Sequence, residues 1–157
     1  MHIFTVSLFG HREIDDLRQL ESRLYPAVKA LIQAKQYVTF LIGRNGEFDE
    51  FAASVIKQAQ KESGKENSEI ALVLPYTVAG LAYYERYYDD IIIPDSVNRV
   101  HPKAAITVKN RWMIEQSDLI FFYLERNKGG AYAAKRYAER LKKTVVNLYE
   151  GEPPLAF

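Results

Sequence analysis

The sequence predicts an α/β fold: a doubly wound, Rossmann-like three-layer sandwich on a mainly parallel five-stranded sheet. Three observations carry this expectation. Short apolar runs alternate with helical patterns along the chain, and those runs are continuously apolar rather than alternating. At 157 residues the chain is long enough for one well-buried domain and too short for two ordinary ones. Continuously apolar strands separated by helices belong to a parallel sheet covered on both faces.

Ile3 to Phe9 is rich in β-branched and aromatic residues and stops at Gly10, which reads as a strand. Ile14, Leu17, Leu20, Leu24, Val28 and Leu31 recur at helical spacing, with Pro26 expected to kink or split the helix. Tyr37 to Ile42 is the second strand, closed by Gly43-Arg44-Asn45-Gly46. Phe48, Phe51, Ala52, Val55, Ile56 and Ala59 mark the next amphipathic helix. Ile70 to Leu74 is the third strand, ended by Pro75. Residues 76–98 read as irregular and crowd Tyr76, Tyr83, Tyr84, Tyr87 and Tyr88 together. A helix over Lys103–Gln116, a strand over Leu119–Leu124, a helix over Ala131–Leu141 and a strand over Thr144–Leu148 complete the pattern. Residues 1–150 are expected to form the domain, and 151–157, with Pro153-Pro154, a loose tail.

Composition excludes several classes. With 48% hydrophobic and 26% charged residues, the chain is globular rather than disordered. The absence of cysteine removes disulfides, thiolate metal sites and a cysteine nucleophile. His2, His11 and His101 lack metal-ligand spacing, and no cofactor is implied. No signal peptide is visible and no apolar run approaches the roughly 20 residues of a membrane helix, so a cytoplasmic location is expected. The net charge of +1 predicts no global field towards DNA, RNA or lipid, hence no strong nucleic-acid signal.

Right-handed crossovers leave few topologies, and the one expected sets the third, second, first, fourth and fifth strands side by side. The winding reverses between strands 3–9 and 119–124, and ligands bind beyond the carboxyl ends flanking such a reversal. Those ends carry Gly10-His11-Arg12 and Gly129-Gly130. Gly129-Gly130 follows Arg126 and Lys128 and opens a helix, a setting that favours phosphate. An ordinary strand-to-helix turn fits the same residues, and no Gly-Lys-Ser/Thr follows to make a P-loop.

Arg111 shares a helical stripe with Ala104, Val108 and Glu115 and is expected to point to the covered side. Its partner there is either Glu115 or a ligand phosphate held at two points, and the unfavourable order of the Arg–Glu pair favours the phosphate. Trp112, on another stripe with Ala105 and Lys109, reads as packing or an interface anchor. Around Gly43, Asn45 and Gly46, the acidic Glu47, Asp49 and Glu50 would repel phosphate. They could accept hydrogen bonds from ribose hydroxyls, or simply compensate the helix dipole. The tyrosines could stack on a base or cover an apolar edge.

Phe9-Gly10-His11-Arg12, the run Gly43 to Asp49, Asn110-Arg111-Trp112-Met113-Ile114, Ser117-Asp118 and Gly129-Gly130-Ala131 fall in a familiar order. Together they resemble the SLOG superfamily, and within it the small, stand-alone YpsA-like branch, over nearly the whole chain. The resemblance implies a Rossmann-like fold that binds nucleotides or nucleotide-derived ligands. The superfamily includes Lonely Guy phosphoribohydrolases, the DNA-processing protein DprA and sensor domains of bacterial defence systems. By analogy Gly10, Gly43, Asp49, Arg111, Gly129 and Gly130 would line the pocket. In Lonely Guy enzymes a glutamate pair follows the double glycine, whereas Lys135 and Arg136 stand there in this chain. Cations at those positions oppose an oxocarbenium-like transition state.

The expected function is therefore non-catalytic binding of a nucleotide-derived small molecule as a sensor or regulator, in a chain that could form a homodimer or higher homo-oligomer. The alternative is N-glycosidic bond hydrolysis or transfer through a carboxylate such as Asp49, Glu47 or Glu115.

Overall fold

The strand pattern closes into one sheet because the runs are apolar on both sides and each needs a helix on either face. In the computed structural model, which describes residues 1–157, the elements are β1 (Ile3–Gly10), α1 (Leu17–Ala34), β2 (Tyr37–Ile42), α2 (Glu47–Ser63), β3 (Ser68–Val73), α3 (Leu81–Tyr87), β4 (Asp90–Ile92), α4 (Pro102–Gln116), β5 (Leu119–Tyr123), α5 (Gly130–Arg140) and β6 (Thr144–Asn147). All strand pairs are parallel, in the order β4-β3-β2-β1-β5-β6.

The expected order of five strands is present, with a sixth strand added at the β3 edge. That strand is short, Asp90–Ile92, and its side chains are not fully buried, so its apolar run carried little pattern. Part of the segment expected to be irregular is thus the helix–strand pair α3–β4. Pro26 does not split α1, which runs unbroken from Leu17 to Ala34, and its missing N–H forfeits the bond to the Ser22 carbonyl.

Alternate residues of each strand feed two cores. Val6 and Leu8 face α1 and α2, where Leu20, Leu24, Val28, Phe48, Ala52 and Ile56 pack. Phe9 and Phe122 stack on the other face, centroids 5.5 Å apart, beneath Met113, Ile114, Ala134 and Ala138. Phe157, at the end of the tail, packs edge-on against Phe121.

The junction between α4 and β5 is locked to β1 by short polar contacts. Ser7 Oγ and Ser117 Oγ lie 2.7 Å apart and both reach the Met113 carbonyl, while Asp118 Oδ2 accepts from the Thr5 amide at 2.9 Å. Ser117 and Asp118 therefore have a structural task. These locks set β5 beside β1 so that Gly10 pairs with Tyr123, and the winding reverses there.

Candidate functional site

Where the winding reverses, the loops after β1 and β5 must diverge to opposite sheet faces, and a cleft opens between them. It measures about 390 Å³ and is walled by Gly10 to Glu13, Gly43, Asn45, Asp49, Lys109, Asn110, Arg126 and Lys128 to Ala131, among others. That size falls within the range of small-molecule pockets.

Lys109 forms the floor. On α4 the inward positions are Ala105, Lys109 and Met113, one helical repeat of four apart, joined by Asn110 and Ile114. The lysine is 1% exposed, and its ammonium has neither a hydrogen-bond partner nor a carboxylate within ion-pair distance. A side chain built on Gly43 would place its Cβ 2.7 Å from Lys109 Nζ, so glycine at the end of β2 leaves room for the cation. Asp49, 7% exposed, faces the same space and accepts the Asn45 amide at 2.7 Å. Burial pushes the Asp49 carboxyl up to about 6, with the Asn45 amide and Lys109 pulling against it. Burial likewise pushes the Lys109 ammonium down to about 8, eased by Asp49. Asn110, 8% exposed, leaves its Oδ1 with no partner at all. A buried ammonium and a buried amide oxygen without partners are costly unless something else completes them.

The two lips are built differently. At the first, the Arg126 amide donates to His11 Nε2 at 3.2 Å, which leaves the proton of a neutral ring on Nδ1. Burial is the main cause holding His11 below its usual pKa, with Arg126 and Lys128 adding to it. At the second, Gly129 takes φ 91°, a conformation that favours glycine, and α5 begins without a side-chain cap. Its first residues, Gly130 and Ala131, line the cleft, and amides in a first helical turn have no partner within the helix. Arg12, Lys109, Arg126 and Lys128 face Glu13 and Asp49 across this space, an excess of positive charge.

Gly10, His11, Arg12, Gly43, Asn45, Asp49, Gly129 and Gly130 thus meet around one cleft. Arg111 and Gly46, both expected there, do not line it. Arg111 is on the exposed face of α4, its guanidinium 4.7 Å from the centre of the Tyr137 ring. The inward stripe is Lys109's, because on this helix burial is shared by two polar residues and the apolar pattern is faint. Gly46 is a packing glycine: a Cβ there would lie 2.4 Å from Arg12 Cα. Glu47 is likewise occupied, its amide donating to the Arg12 carbonyl and its carboxylate accepting the Ile14 amide. Lys109 itself was readable only as the rare lysine in an inward helical position. None of the tyrosines of 76–88 lines the cleft. No group of three or more His, Asp or Glu is placed to hold a metal ion.

No protein-family model and no curated protein matches the chain. Two solved structures do. DNA processing protein A (DprA) from Streptococcus pneumoniae aligns with TM-score 0.64 and 14% identity over 91% of this chain. DprA from Helicobacter pylori, described for its single-stranded DNA binding mode, aligns with TM-score 0.59 and 15% identity over 90%. This chain has the DprA fold. It is a Rossmann-like fold, as the alternating strands and helices imply. The chain spans 49% and 63% of those two proteins.

One expectation is overturned. The absence of a strong nucleic-acid signal was inferred from the net charge, yet a DprA-fold neighbour binds single-stranded DNA. Net charge is a sum over the whole surface, whereas binding reads local density, and here the cations gather at the cleft. No helix is long and apolar enough to cross a membrane.

Proposed function

We propose that the cleft between the ends of β1 and β5 binds a nucleotide, either free or as a unit of a single strand. The observation that carries this reading is Lys109, a buried lysine whose ammonium has no hydrogen bond and no carboxylate within ion-pair distance, in a cleft also lined by the first residues of the uncapped α5. An anionic group satisfies both, and Arg126 and Lys128 at the rim add attraction. Asn110 Oδ1 calls for a hydrogen-bond donor on the same ligand, which a sugar hydroxyl or a base amino group supplies. The single-stranded DNA binding of the H. pylori neighbour supports a nucleotide unit as the occupant. Within that reading, the chain acts as a sensor or regulator of the YpsA-like kind.

A second reading, N-glycosidic cleavage, rests on Asp49: a buried carboxyl pushed up to about 6 is suited to proton transfer near neutral pH. Lys109 beside it, and Lys135 and Arg136 in place of the glutamate pair, disfavour the positive charge that such a reaction develops.

Titration with nucleoside monophosphates, nucleoside diphosphates and short oligothymidylates tests both readings. At a hundredfold excess over Kd, a ligand adds about 2.7 kcal/mol of stability, or roughly 5–10 °C for a chain of this size. Saturable binding without release of free base fits the first reading, and release of base fits the second. No thermal shift with any member of the panel overturns both.

A further inference from the structure

The tyrosines outside the cleft form a surface of their own. α3 lies beyond the carboxyl end of β3, on the same sheet edge as the cleft. Arg44 joins the two: its neighbours Gly43 and Asn45 are cleft walls, and its guanidinium lies 5.1 Å from the centre of the Tyr84 ring. Tyr84 in turn meets Tyr83 edge to face, with centroids 5.4 Å apart. Tyr84, Tyr87 and Tyr88 are accounted for by packing onto the core. Tyr83 is not, for it is 64% exposed, and Tyr76 is 50% exposed. Arg44 is exposed and makes no ion pair.

We propose that Tyr83, backed by Tyr84 and flanked by Arg44, is a stacking platform for a base of a single-stranded oligonucleotide whose adjoining nucleotide sits in the cleft. The proposal rests on the nucleotide reading of the cleft. An exposed aromatic ring offers a face to any base, and Arg44, stacked on the neighbouring Tyr84 and free of any ion pair, meets the backbone between two bases. A duplex withholds its base faces, so the occupant is a single strand. The ends of β1 and β3 lie two strand spacings apart, about 10 Å, and α3 extends the distance further. A second nucleotide spans that gap, whereas the one held in the cleft does not.

The test compares thymidine monophosphate with oligothymidylates of two to six residues on the wild-type protein and on Tyr83→Ala and Tyr83→Trp. In the wild type, affinity is expected to rise on adding the second or third residue and to level off afterwards. Tyr83→Ala removes that gain, about fivefold or more in Kd, and leaves monophosphate affinity unchanged. Tyr83→Trp preserves the gain. Equal affinity for monomer and oligomer in the wild type overturns the platform, as does an equal loss for both ligands in Tyr83→Ala. A loss of oligomer affinity in Tyr83→Ala that Lys109→Met does not share leaves Tyr83 as a stacking residue and overturns the nucleotide reading of the cleft.

Discussion

Replacing Lys109 with methionine is expected to stabilise the protein while disabling its cleft. The ammonium's pKa falls from 10.5 to about 8 on burial. At about 1.4 kcal/mol per unit, keeping that lysine charged at pH 7 costs the folded state roughly 3 kcal/mol. Methionine fills the same channel with an unbranched apolar chain and removes the cost. That cost is already net of the attraction of Asp49, so the gain is about 3 kcal/mol, or a rise of about 6–12 °C in Tm for a chain of this length. Loss of a buried charge contact should weaken anion binding by about thirtyfold or more. Urea denaturation of both proteins in anion-poor buffer reads the first effect, and nucleotide titration reads the second. The stability gap carries its own signature. A pKa depressed by folding costs nothing above pH 10.5 and its full penalty below about 8, so the gap should open as pH falls through that window. A destabilised Lys109→Met protein, or one that binds anions as before, refutes the assignment of Lys109 to the site.

Three further outcomes follow from the geometry. Arg111→Ala should leave nucleotide affinity within about twofold and cost under about 1 kcal/mol, the stacking on Tyr137; a tenfold loss in a binding titration would place Arg111 back in the site. Gly10→Ala puts a Cβ 2.2 Å from Phe48 Cγ and should cost about 1–3 kcal/mol in the urea midpoint, and an unchanged midpoint would mean that Phe48 moves freely. Affinity for a dinucleotide, whose diester charge is constant over this range, should strengthen as pH falls from 9 to 5.5. Lys109 gains its proton through about 8 and Asp49 is neutralised below about 6, so a flat profile of Kd against pH counts against this pair facing the ligand.

Much of the fold was legible because it is written locally. Val6, Leu8 and Phe9, or Ile120, Phe121 and Phe122, read as doubly covered strands from apolar continuity alone, and short crossovers then fixed their order. Turn chemistry was legible for the same reason: Gly129 marks a backbone that needs positive φ. Strand β4 carried less signal, since one exposed and two half-buried residues at an edge make no distinctive pattern.

The layered sheet, its point of reversal and the loops that flank it are written along the chain, because they depend on which residues avoid water in each segment. Which polar groups face inward depends on contacts between distant segments. Lys109 and Arg111 are two residues apart, a rotation of about 200° around α4, so they point in nearly opposite directions. With Lys109 and Asn110 both on the inward face, apolar spacing does not set that rotation. It is set by neighbours far along the chain: Met113 and Ile114 against the sheet, Ser117 against Ser7, and the space left by Gly43.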